Sequence, residues 1–96
     1  MSDTLALQPA TLPERLTLEQ VVPTLAQLRQ ALVAQPGPQV RIDASALHEF
    51  DTSAVALLLE LRRWLQPQGK TLLVQQAPQR LRDLVQLYGV QELLAV

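Results

Sequence analysis

The sequence predicts an α/β fold, a mixed β-sheet with helices packed on one side. Three observations predict it. Short runs of strand character, such as residues 40–43 and 71–75, alternate with longer stretches whose leucines recur at helical spacing. Proline and glycine cluster between several of those stretches, as at Pro36-Gly37-Pro38 and Gln66-Pro67-Gln68-Gly69. The 48% hydrophobic content of the 96 residues is enough for one core, and it comes mainly from aliphatic side chains, with Phe50, Trp64 and Tyr88 as the aromatics.

The elements follow in order. Residues 4–7 read as a short strand, and Gln8-Pro9-Ala10 as a turn into a second strand over 11–16. Pro13 places that second strand at an edge, because it has no N–H to give a ladder. Thr17 with Gln20 has the form of a capping box, opening a helix with Val21, Val22, Leu25, Leu28 and Leu32 on one face. Pro23 is tolerated only in a first turn, which moves the helix start a few residues beyond the box. Pro36-Gly37-Pro38 ends it.

Residues 40–43 form the next strand, and 44–50 a loop. Asp51 opens a second helix that runs to about Leu65 and is stopped by Gln66-Pro67-Gln68-Gly69. Residues 71–75 make a strand. Pro78 begins a third helix in which Leu81, Leu84, Val85 and Tyr88 recur at helical spacing before Gly89. Residues 90–96 carry no decisive pattern. The order strand, strand, helix, strand, helix, strand, helix implies a sheet with helical crossovers. With no linker or internal repeat, residues 1–96 are expected to form a single domain.

Composition narrows the function. A net charge of −1 offers no large phosphate-binding footprint, so nucleic acid is not the expected partner. Cysteine is absent, which removes disulfide and thiol chemistry and fits a reducing compartment. Residues 1–10 contain Asp3 and no basic residue, unlike a signal peptide, and the longest apolar run, 54–59, is far short of the ~20 residues that span a bilayer. The expectation is a cytoplasmic protein without direct membrane insertion.

Little in the sequence supports catalysis. His48 is the single histidine and has no nucleophile beside it in a base–nucleophile pattern, so it reads as a loop residue. One His and dispersed carboxylates supply no metal-ligand spacing. Gly37, Gly69 and Gly89 stand apart and form no phosphate-cradling loop, so no cofactor is expected. Asp43 and Asp51 could meet across a strand end and a helix start, but acid–base work by that pair, in a small enzyme or ligand carrier, needs a concave pocket as well.

The informative cluster is Asp51-Thr52-Ser53 at a helix N-terminus, where unpaired N–H groups and the helix dipole favour negative charge. In one reading Asp51 is an N-cap worth about 1 kcal/mol and the hydroxyls are ordinary first-turn residues. In the other the helix presents a docking face. At about 100° per residue, Ala54, Leu57, Leu58, Leu61 and Leu65 share a core-facing arc. Thr52, Val55, Leu59 and Arg63 fall opposite, with Arg62 and Gln66 at the margin. A small apolar centre with an arginine rim is how many protein interfaces are composed.

Val40-Arg41-Ile42-Asp43-Ala44-Ser45, then Phe50-Asp51-Thr52-Ser53-Ala54, then an apolar helix, resembles the STAS domain signature: a strand ending in Asp, a short loop, a hydrophobic residue, Asp, two small or hydroxyl residues and Gly. Ala54 stands where that family usually has Gly. The resemblance implies Asp43 and Asp51 as structural motif residues, and it leaves two branches open. Among SpoIIAA-like anti-sigma factor antagonists, the serine matching Ser53 is phosphorylated by a partner kinase. In the MlaB-like branch, a cytoplasmic subunit of a phospholipid-transporting ABC transporter of Gram-negative bacteria, the threonine matching Thr52 lies in the contact with the ATPase.

The stretch from Asp51 to Leu59 and the run Leu87-Tyr88-Gly89-Val90 look more like the MlaB-like branch, as do the compact length and the short first hairpin. That resemblance implies a non-enzymatic accessory subunit of an MlaFEDB-type transporter, peripheral to the inner membrane through its partner and serving lipid asymmetry. The expected partner-binding residues are Thr52, Ser53, Val55, Leu59, Arg62 and Arg63, set against an MlaF-like ATPase. In the alternative branch the partner is an anti-sigma factor kinase acting at Ser53.

Overall fold

The computed structural model describes residues 10–94 and Val96. In chain order the elements are β1 (Ala10–Thr11), β2 (Arg15–Leu16), α1 (Val21–Val33), β3 (Gln39–Asp43), β4 (Glu49–Phe50), α2 (Thr52–Leu65), β5 (Thr71–Gln75) and α3 (Gln79–Leu87). A 3-10 turn, Gln66–Gln68, closes α2 and passes into Gly69, whose φ of 71° is left-handed. The strand expected over residues 4–7 lies outside the described residues.

Pro13 divides the expected second strand into two strands in different sheets. Before it, β1 runs parallel to β3, with Ala10 opposite Ile42 and Thr11 opposite Asp43, and the Leu12 N–H donates to the Asp43 carbonyl at 2.9 Å. Having no N–H, Pro13 cannot extend that ladder. The chain leaves β3, the Glu14 carbonyl accepts the N–H groups of His48 and Glu49 at 2.8 and 2.9 Å, and β2 pairs with β4. The stretch 44–50, read as a loop, therefore ends in a strand that the local sequence did not announce.

β3 is the centre of the order β1-β3-β5 and pairs along its length with β5. All pairings among the described residues are parallel. Side chains alternate as a sheet covered on one face requires. Val40, Ile42, Leu72 and Val74 are buried, while Gln39, Arg41, Thr71 and Gln75 are exposed.

Helix α2 packs on β5 and lies between α1 and α3. Ala54, Leu57, Leu58, Leu61 and Leu65 are buried on the arc expected for them. In α1 the capping-box pair is present, Gln20 Oε1 accepting from the Thr17 N–H at 2.9 Å and its hydroxyl at 2.7 Å, yet the helix begins at Val21 and takes Pro23 into its first turn. Thr24, Leu28 and Leu32 face the core. Val22 does not: it is 74% exposed, because a helix that points Leu28 and Leu32 inward turns Val22 roughly 120° away from Leu28. In α3, Leu81 and Val85 are buried and Leu84 is half-buried, whereas Tyr88 lies beyond the last helical residue and is exposed. Leu94 returns to the core.

Candidate functional site

The site starts at Phe50. This ring is buried, its backbone sits in register with Leu16, and the Arg80 side chain of α3 covers it, with the guanidinium 4.8 Å from the ring centroid and Nη2 donating to the Phe50 carbonyl at 3.0 Å. The next residue, Asp51, is extended, and its Oδ1 accepts the Ser53 N–H at 2.9 Å, the N-cap geometry expected of it. That bond holds the Asp51 carboxyl below the ordinary aspartate range, and the Leu18 N–H also favours the ionised form. Asp43 repeats the device at the end of β3, accepting the Ser45 N–H at 2.8 Å, with its carboxyl likewise lowered.

Both carboxylates are therefore committed to local turns and biased toward the ionised form, the opposite of a general acid tuned toward neutrality. Two shallow clefts among the described residues, one beside Arg82, Gln86 and Leu94 and the other beside Arg62, Lys70 and Leu93, are lined by neither Asp43 nor Asp51. Among the described residues no group of three acidic or histidine side chains could hold a metal ion.

Beyond the cap, Thr52 is exposed and Ser53 half-buried. The outward stripe of α2 continues through Ala56, Glu60 and Arg63, with Leu59 half-buried beside it. Val55 is not part of it. At 5% exposure it belongs to the core, so the expectation that it would meet a partner is corrected. The cause is the flanking helices. On one side α1 holds the Glu60 and Trp64 flank, Arg29 Nη2 lying 3.7 Å from Glu60 Oε2 and its guanidinium 5.7 Å from the Trp64 centroid. Val55 lies on the opposite flank, and α3 is the other helix packed on α2. The outward face is rotated by roughly 40° from the face that the sequence projection gives.

Arg63 remains on the stripe, but Arg62 turns aside into the cleft of about 250 Å³ that it shares with Gln66, Lys70, Leu72, Glu92 and Leu93. Thr52, Leu59 and Arg63 are thus brought onto one face, and Val55 and Arg62 are separated from it. Sequence reasoning missed Leu18 and placed Val22 on the inward face. Both are about three-quarters exposed, and Leu18 adjoins Asp51 through its amide. The signal was available in the spacing of Thr24, Leu28 and Leu32, which leaves no inward place for Val22.

A family model described as the MlaB STAS domain matches residues 10–95, a span that takes in every element described above. The chain belongs to the MlaB-like STAS domain family. No curated protein matches it. STAS domains are in general binding domains without catalysis, and this STAS domain carries its motif, Asp51-Thr52-Ser53-Ala54, at a capped helix end that faces outward. Ala54, at the usual Gly position, is wholly buried, so its methyl group is taken into the core. No helix among the described residues is long and apolar enough to cross a membrane.

Proposed function

We propose that this STAS domain is a non-catalytic accessory subunit that binds and supports the ATPase of an MlaFEDB-type phospholipid-trafficking ABC transporter, and that it reaches the inner membrane through that partner. The observation that carries the reading is the match to the MlaB STAS domain over residues 10–95, taken with the exposed Thr52 hydroxyl at the start of α2. Thr52 would stand at the contact, the exposed side of Leu59 beside it, and Arg63 would supply a rim charge for partner carboxylates. Ser53 and Arg62 would border that contact. Leu18, exposed and adjoining Asp51 through its amide, adds apolar area beside that cap. Such a face, apolar and small-polar with few charges at its centre, suits docking better than chemistry.

The test is recovery of the cognate ATPase subunit on immobilised protein. A glutamate at Thr52 adds charge where a partner would desolvate it, so Thr52→Glu is expected to lose the ATPase. Equal recovery with native and variant protein would remove Thr52 from the interface. The other branch, an anti-sigma factor antagonist switched by phosphorylation of Ser53, has less support. Ser53 is half-buried with its amide held by the Asp51 carboxylate, and a phosphate of −1.5 to −2 charges there would face that carboxylate. Intact mass after incubation with an anti-sigma kinase and ATP separates the two, since a gain of one phosphoryl group at Ser53 would favour the switch.

A further inference from the structure

Arg80 occupies the first turn of α3, and no acidic residue accompanies it there. A cation at a helix N-terminus opposes the helix dipole, so Arg80 does nothing for α3 by its position. Its contacts lie instead on another element: one guanidinium donates to the Phe50 carbonyl at 3.0 Å and covers the Phe50 ring at 4.8 Å. Phe50 is the residue before the Asp51 cap. Its ring packs in the core, but the β2–β4 ladder that pairs its backbone is two residues long on each side, and a pairing that short fixes little by itself. A charge-assisted hydrogen bond and a cation–π contact onto the same residue are strong restraints by comparison.

We infer that Arg80 is the positioning residue for the outward end of α2, acting through Phe50 to fix where Asp51 and Thr52 stand. Its consequence for partner binding rests on the docking reading above; its effect on the free protein does not. Arg80 itself lies on α3, outside the Thr52–Leu59–Arg63 face, so losing it alters the presentation of that face and removes none of its side chains.

Amide hydrogen exchange, followed residue by residue on the free protein, tests this. In Arg80→Ala, the Ser53 and Ala54 amides are expected to exchange roughly tenfold faster, the combined worth of the hydrogen bond and the cation–π contact, while amides of β3 and β5 keep their native rates. Arg80→Lys retains a donor and a cation over the ring, and its Ser53 rate is expected to return toward native. ATPase binding is then read separately. If exchange rises locally while both Arg80→Ala and Thr52→Glu bind as native, positioning stands and the docking reading falls. Unchanged exchange at Ser53, acceleration spread equally through β3 and β5, or a lysine variant no better than alanine would each overturn the role of Arg80.

Discussion

Thr52 and Val55 stand one turn apart at the start of α2 and face opposite environments: the threonine lies open to solvent and the valine is enclosed in the core. A mutation at either site thus tests a different quantity. Val55→Ala removes buried methyl groups and is expected to cost about 2 kcal/mol of stability, read as a lower urea midpoint with an unchanged slope. Partner binding by the folded fraction should be retained. Loss of binding with unchanged stability would return Val55 to the interface.

Thr52→Glu should behave in the reverse way. A carboxylate in the first turn of a helix interacts favourably with the dipole, by about 0.3–1 kcal/mol, so stability should hold or rise slightly. The loss should appear in ATPase binding alone. A Thr52→Glu protein that melts well below the native one would mean that the side chain is structural.

Arg63 carries no ion pair among the described residues, unlike Arg15 and Arg29, which face Glu49 and Glu60. As a rim charge it should contribute mainly to the rate of encounter. Arg63→Glu is expected to slow ATPase association about tenfold at low salt, with the difference shrinking as ionic strength rises. Arg62→Glu, turned into the neighbouring cleft, should have the smaller effect. Equal losses from the two would place the contact nearer the end of α2.

The legible parts of the fold were those where one signal dominated. The leucines of α2 fixed its inward arc, and Thr71–Gln75 was bounded by Gly69 and Pro78. β4 was not legible, since two residues give no alternation and their partner, Arg15–Leu16, is distant in sequence. The outward face of α2 was legible only to within the width of a helix flank. An isolated projection finds the core arc, but α1 and α3 decide how far round the helix burial extends, and that pushed Val55 in and left Ala56 out. The Arg80–Phe50 contact, spanning thirty residues, had no local signature at all.

Asp51 and Asp43 predict a pH dependence. Each carboxyl is held below its ordinary value in the folded chain by an N–H donor, so the unfolded chain takes up protons first as the pH falls. Their contribution is complete above the unfolded value of about pH 4 and is lost as the pH drops through the lowered folded values. Asn also caps helices well. The double variant Asp43→Asn, Asp51→Asn should therefore be close to native near pH 7 and lose less stability than native between pH 5 and 3. Urea midpoints at the two ends of that range check it, and an acid loss as large as the native one would show that other groups carry it.

Gln35 gives the last prediction. Its side-chain amide acts as a one-residue strand beside β3, Oε1 accepting the Arg41 N–H and Nε2 donating to the Arg41 carbonyl, both at 2.8 Å. Among the described residues β1 covers Ile42 and Asp43 only, so Gln35 seals the backbone just before them. Lys70 Nζ donates to the Gln35 carbonyl at 3.1 Å and ties the same residue to the start of β5. Gln35→Ala should cost about 1 kcal/mol, because water replaces exposed hydrogen bonds cheaply. Gln35→Glu should cost more at pH 7, since an ionised carboxylate can accept the N–H but only repels the carbonyl, and its deficit should narrow toward pH 4 as the carboxyl gains a donor proton. If the glutamate variant were as stable as native at pH 7, the amide would not be sealing this edge.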